Sequence, residues 1–488
     1  MAIIILPPGS TSTDLQNAIS NAGSGDIIEI SNNITITENV EIPVGRSITI
    51  RSTTGNNWVL TQVILDARHV WVRGSLILQN ITLDGGRSGG GIIVDNNANL
   101  TINTGTIIRN CFAYNGSVVL VVGGSFNMVD GEISNNKAIN GGGVFIVGGN
   151  FNMAGGEISD NEAGGGGGVF VTRNSAFTMH GGAIRRNEAV YNGGGVSIYH
   201  STFNMQSGEI SENITGMVGG GVSIWTTTSN ISNSHPINPR SIFVMTGGEI
   251  SRNMAEGRFD WGWLEGWGGG VYVRESEFVM SDGEINNNIA QRGGGVGTEA
   301  SLFNMKENGR ISNNTANENG GGIYLVPVLA SRFNNALTMN GGIIRNNMAH
   351  NGGGIFNSDS SLTDISGTSE IINNKATNNG EGQGGGVYTE GFNHLVITGP
   401  RVRFANNRAD FATEREPIND AVYATHILNM EGNWTAPFRQ GYNNFDINQN
   451  GTRIEPEGDL LKIMLLFLTM FCRPRKKCYC KDCCKKCC

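Results

Sequence analysis

Apolar and polar positions alternate along this chain in runs of three or four residues, too short for a helical face. In Phe126-Asn127-Met128 the order is apolar, polar, apolar, the signature of a half-buried strand. Gly131 breaks the direction, and Glu132-Ile133-Ser134 resumes it with Ile133 pointing inward. Asn136 and Ala138 then mark a corner, Gly141-Gly142-Gly143 a second, and Val144-Phe145-Ile146-Val147 is a third strand before the cycle restarts at Phe151. Three short strands and three corners predict one turn of a triangular coil.

The cycle repeats. Gly-Gly-Gly followed by Val or Ile returns at Gly166, Gly193, Gly219, Gly268, Gly293, Gly320, Gly352 and Gly384, roughly every 25–27 residues where nothing is inserted, a solenoid period. The Phe/Met pair returns as Phe151/Met153, Phe177/Met179, Phe203/Met205, Phe243/Met245, Phe278/Met280 and Phe303/Met305. An Ile-x-x-Asn element puts Asn136, Asn161, Asn187, Asn213, Asn253, Asn288, Asn314, Asn347, Asn374 and Asn407 at one register position. Stacked at the spacing of paired strands, about 4.8 Å, these residues form ladders. The predicted fold is all-β: a right-handed parallel β-helix with three short strands per coil of about 25 residues. The glycines are corner devices that supply positive φ or close backbone approach. They are not a phosphate loop, since no Gly-Lys-Ser/Thr follows.

Residues 27–446 are expected to be the β-helix, with Ala421 to Phe445 as a last irregular coil and cap. Ile27 to Ile30, Ile34 to Ile36, Ile48 to Ile50, Val63 to Leu65 and Leu76 to Leu78 read as strands of less regular early coils. Residues 1–26 read as an N-terminal cap. Its short helix runs from Asp14 to Ala22, with Asp14 as the capping residue and Leu15, Ala18, Ile19 and Ala22 on one face. A helix there would cover strand edges left open at the end of the rod.

Glycine, 72 of 488 residues, is about twice its usual share, which disfavours sustained helix. The net charge of −8 argues against nucleic acid as a partner. Cys111 is alone in the body, and the other seven cysteines lie between Cys472 and Cys488. The rod must therefore be held by stacking rather than disulfides. Met1 to Pro8 has no basic start and too short an apolar run for a secretion signal.

Asn-x-Ala before Gly-Gly-Gly-Val, preceded by Ile/Phe-x-x-Asn as at Phe404-Ala405-Asn406-Asn407, resembles the repeats of chlamydial polymorphic outer-membrane proteins. It is similar, too, to adhesin-like β-helix proteins of the pectate-lyase-like superfold. The resemblance covers roughly Asp14 to Asp446. It implies a protein at the cell surface, in the outer membrane or secreted, that binds without catalysis, with glycans or cell-surface proteins as partners. No autotransporter barrel is expected within these residues.

The same fold hosts polysaccharide lyases and glycoside hydrolases, which need paired carboxylates or a calcium-binding Asp cluster with a base. Asp66, Asp84, Asp95, Asp130, Asp160 and Asp282 fall at differing registers. No catalytic residue, cofactor or body metal site is therefore expected, and a purely structural fibre component is the other alternative. Glu132, Glu157, Glu209, Glu249 and Glu284 make one acidic stripe, which is either a solvated face or a row that holds cations. The repeat is broken most between Gly221 and Gly270, by insertions at Thr226 to Ser241 and Glu256 to Trp267. Trp225, Phe259, Trp261, Trp263 and Trp267 lie there and are the candidate binding residues, because insertions map to corner loops and Trp dominates binding hot spots. The competing expectation is that these rings cover one another. Smaller insertions fall at Pro327 to Ala336 and Thr377 to Gln383.

Residues 447–459 read as a linker, and 460–488 as a tail outside the solenoid. Leu460 to Phe471 is apolar apart from Lys462 and Thr469, and four basic residues and the cysteines follow. Such a tail suits membrane association beside a basic patch, a thiolate–metal cluster, intermolecular disulfides or an unstructured end.

Overall fold

The computed structural model describes residues 1–113, 118–227, 240–257, 266–327, 335–358, 360–390, 394–398, 401–410 and 447–449. The segment 421–445 and the tail 460–488 lie outside these residues. Apart from one helix the described chain is strand and turn, arranged as a right-handed parallel β-solenoid. Its three sheets contain 25, 14 and 11 strands.

The Phe/Met strand and the Glu-Ile-Ser strand of each coil lie in the same long sheet, as Asn150–Met153 and Glu157–Ser159 do. In Ile242–Ser251, Glu277–Asn286 and Leu302–Ser312 they fuse into one continuous strand. The second sheet stacks the strands that follow the glycine triplets, such as Val144–Val147 on Val169–Thr172. The third sheet is built where a corner was expected, from pieces such as Lys137–Ala138 and Glu162–Gly165. The bend that separates it from the long sheet sits on the residue before each ladder Asn. Asn135, Asp160, Arg186, Glu212 and Arg252 there have φ between 53° and 58°. Non-glycine residues rarely adopt this region, so the second x of Ile-x-x-Asn is the actual turning point.

Inside, like stacks on like. Phe126, Phe151, Phe177, Phe203, Phe243, Phe278 and Phe303 are fully buried. Their ring centroids are 4.6–4.8 Å apart and their planes lie within 10°. One continuous core cluster runs from Leu6 to Ile447. Each fully buried side chain of this kind is worth about 1.5–3 kcal/mol, so the repeated core, not the surface charges, holds the rod.

The Asn ladder is fully hydrogen-bonded. Asn187 Nδ2 donates to Asn213 Oδ1 at 3.0 Å and to the Ile158 carbonyl at 2.9 Å, and the Asn187 N–H also donates to Asn213 Oδ1, at 3.0 Å. The pattern holds from Asn136 to Asn407. Below its first rung, the Cys111 N–H donates to Asn136 Oδ1 at 2.9 Å.

A second ladder lies beside the expected ones. Ser175, Ser201, Ser241, Ser276, Ser301, Asn335 and Ser361 are buried two residues before the Phe-ladder position of successive coils. The Ser175 N–H donates to Ser201 Oγ at 3.1 Å and the Ser276 N–H to Ser301 Oγ at 3.1 Å. Gly89-Gly90-Gly91-Ile92 also proves to be an early triplet. It precedes a rung of the second sheet, with positive φ at Gly90 and Gly91.

At the N-terminal end, Ile3–Ile5 forms the first strand of the long sheet, paired with Ile27–Glu29. The helix spans Ser12–Asn21 and its capping residue is Thr11, not Asp14. Asp14 instead closes a capping box, accepting from the Thr11 N–H at 2.8 Å. Leu15, Ile19 and Ala22 are buried as expected. Val63 to Leu65 is not a strand but an exposed turn, with Leu65 75% exposed. Buried Gln62 organises it: Gln62 Oε1 accepts from the N–H groups of Val63 and Ile64, both at 2.9 Å. At the other end Ile447–Gln449 continues the second sheet on Val387–Thr389.

Candidate functional site

Two of the five candidate aromatics lie among the described residues. Trp225 ends the strand Val222–Trp225, on the outer face of the second sheet. Its ring stacks on Tyr199, one rung away, at 4.1 Å and 30°. Tyr199 Oη lies 2.9 Å from Thr227 Oγ1, and His200 packs edge-on to Tyr199 at 4.2 Å. Both rings are half-buried, so they form an aromatic step with a hydroxyl at its edge.

Trp267 immediately precedes a glycine triplet and bridges Val218 and Arg292 in neighbouring coils. Its ring meets Tyr324 edge-on at 5.8 Å and Tyr272 at 6.2 Å, and the Arg292 guanidinium lies 5.9 Å from its centroid. In register, Gly297 stands between Tyr272 and Tyr324. The missing side chain there leaves the slot that the Trp267 segment fills. The neighbours of Trp267 are thus Tyr272, Tyr324 and Arg292 rather than another candidate ring, and Trp225 stacks on Tyr199. Phe259, Trp261 and Trp263 lie outside the described residues.

In the acidic stripe Glu157 and Glu209 pair with arginines, and Glu132, Glu249 and Glu284 accept from neutral side chains. Arg185 grips Glu157 through two hydrogen bonds of 2.8 and 2.6 Å, and Arg186 reaches both Glu157 and Asp160. Arg252 bridges Glu209 and Glu212, Asn286 Nδ2 donates to Glu249 at 3.0 Å, and Ser312 Oγ donates to Glu284 at 2.6 Å. Burial works against the Glu157 charge. Hydrogen bonds from Arg185 and Ser159, and the two guanidinium charges, outweigh it and hold the carboxyl below its usual range.

A recess of about 340 Å³ opens where the long and third sheets meet, lined by Arg87, Cys111, Lys137, Asp160 and Glu162 among others. Lys137 and Glu162 pair across it at 2.5 Å. The Cys111 thiol is pushed up to about 12 by burial, so it presents no thiolate nucleophile.

His69 is the one deeply buried imidazole in the early coils. Its Nδ1 accepts from the Gly91 N–H at 2.9 Å and its Nε2 lies 3.1 Å from the Asp84 carbonyl, which fixes a neutral ring with Nε2–H donating. Burial drives its pKa down to about 4. The unfolded chain takes up a proton below about pH 6.5, and the folded chain does not until near pH 4. Stability should therefore fall as pH drops from 6.5 towards 4, by up to about 3 kcal/mol. Guanidinium unfolding at pH 7 and 4.5 checks this, and His69→Gln should flatten the difference.

No family model matches the chain, and neither the curated proteins nor the solved structures provide a match.

Proposed function

We propose that this protein is a non-catalytic, adhesin-like binding protein of the cell surface, which uses the rod to present loops and aromatic rings to glycans or to proteins of a neighbouring cell. The observation that carries this reading is that both large insertions adjoin strands of one sheet. The first leaves from the end of the Val222–Trp225 strand, and the second ends at Trp267, four residues before the next strand of that sheet, Val271–Arg274. The Tyr199–Trp225 step lies at the strand end from which the first departs.

The test is binding to arrayed glycans and to cells by the intact chain and by a Tyr199→Ala/Trp225→Ala variant. Both side chains are on the outer face, so the melting temperature should change little. Loss of two hot-spot rings should weaken binding at least 30-fold, the equivalent of about 2 kcal/mol. Unchanged affinity would remove the step from the site. Failure of the intact chain to bind any glycan, cell or matrix protein would favour the fibre component.

A further inference from the structure

The outer face of the third sheet carries a column that is complementary to its own reverse. The outward residue after each ladder Asn runs in register as Glu162, Glu188, Ile214, Met254 and Ile289, then Thr315, Met348, Lys375 and Arg408. Two acids open it, two bases close it, and the middle is apolar apart from Thr315. Ile289 and Met348 are 43% and 40% exposed, although parallel sheets are ordinarily covered on both faces and an exposed apolar patch marks a contact surface. Each end is charged alike. Glu162 and Glu188 stack on adjacent rungs, as do Lys375 and Arg408, and like charges so placed repel. Lys137 pairs with Glu162, but Glu188, Lys375 and Arg408 have no ion-pair partner among the described residues.

We propose that a second copy of this chain covers this face, with the two rods antiparallel and packed sheet on sheet about a two-fold axis at Ile289. The axis lies between the sheets and runs across the rods. Such an interface must be complementary to itself, and reversing the column makes it so. Met254 faces the partner's Thr315, Ile214 the partner's Met348, Glu188 the partner's Lys375 and Glu162 the partner's Arg408. Each contact occurs twice, every end charge meets its opposite, and Ile289 meets itself. An axis parallel to the rods would instead set Glu188 on the partner's Glu188, so charge selects the antiparallel pair.

The flanking positions agree. Two residues further along each strand, Glu256 faces the partner's Asn317 and Asp410 the partner's Gly164, so no carboxylates are opposed. Arg186 and Arg252, on the bend beside the column, are already paired with Asp160 and Glu212. Size agrees as well. Glu162 to Arg408 is eight rungs, about 38 Å. With two outward positions per strand the strip is roughly 15 Å wide, so each copy buries on the order of 600 Å² and the pair about 1,200 Å², the lower edge for a specific contact. The dimer should therefore form at micromolar concentration and dissociate on dilution.

Sedimentation velocity of the full chain over a dilution series tests this, in reductant so that the C-terminal cysteines form no bridges. The wild-type chain should pass from dimer to monomer as it is diluted. Glu188→Lys and Lys375→Glu should each weaken the dimer about 100-fold. Both sites are exposed, so melting temperatures measured on dilute, monomeric protein should not change. Mixing the two variants in equal amounts should restore the dimer, because both symmetry-related contacts of the mixed pair again join opposite charges. A folding defect in either variant would not give that rescue. A wild-type chain that stays monomeric at high micromolar concentration overturns the proposal. So do single variants that dimerise as the wild type does, which assigns dimerisation to another face. So does a mixture that stays monomeric, which removes the antiparallel register.

Discussion

Asn213→Ala should destabilise the rod by about 3–5 kcal/mol, although it removes only one amide. Asn213 Oδ1 accepts from both Asn187 Nδ2 and the Asn187 N–H, and Asn213 Nδ2 donates to Asn253 Oδ1 and the Ile184 carbonyl. All of these groups are buried. Truncation strands two donors on one side and leaves acceptors short on the other, with no water to replace the amide. The same change at Asn152 is the control. Asn152 Nδ2 also donates to an Asn in the adjacent coil, Asn127 Oδ1, at 3.0 Å, but Asn152 is exposed. Its loss should fall within about 0.5 kcal/mol. Unfolding rates in guanidinium distinguish the two, with Asn213→Ala unfolding on the order of a hundredfold faster. Similar rates for both variants would mean that the buried ladder is incidental to the fold.

The Phe, Ile and Asn ladders are legible in sequence because each is a single residue type recurring at one register. What escapes is coded differently. The left-handed turning point is occupied by Asn, Asp, Arg and Glu in different coils, so a fixed backbone angle leaves no fixed letter. The Ser175–Ser361 ladder is written in the chain as Ser-x-Phe from Ser175 to Ser301, but serine is also abundant at exposed positions, and burial is what marks these as a ladder. Thr11 is masked as a cap by Asp14, whose carboxylate serves the same helix end from inside the first turn. The candidate site is half legible. Trp225 and Trp267 are both tryptophans beside insertions, yet one makes a step with Tyr199 and the other fills the slot over Gly297. That difference depends on what lies one rung away, which spacing along the chain does not encode.

The glycine triplets divide their work in a way that yields an ordered series. In the triplets that begin from Gly141 to Gly384 the first glycine has positive φ, from 58° at Gly141 to 69° at Gly320. The second does not, so conformation alone does not require it to be glycine. At Gly194 a Cβ would sit 2.5 Å from the carbonyl oxygens of both Gly220 and Ile214. Both are backbone atoms of the next coil, and neither can rotate away. Gly194→Ala must therefore push neighbouring rungs apart, lengthening the Gly194 N–H to Gly219 carbonyl bond, now 3.1 Å, and the Gly195 bonds beside it. Strain of this kind in a closely packed stack costs about 3 kcal/mol or more. The outcome should be a sharp loss of soluble, folded protein. Gly45 offers the opposite case, with φ of 76° and nothing within 4 Å of an added Cβ. Gly45→Ala carries only left-handed strain, about 1–2 kcal/mol, and should fold. Soluble yield and melting temperature of the two variants rank the causes. If Gly45→Ala proves the more damaging, backbone freedom rather than contact between coils is what the triplets supply.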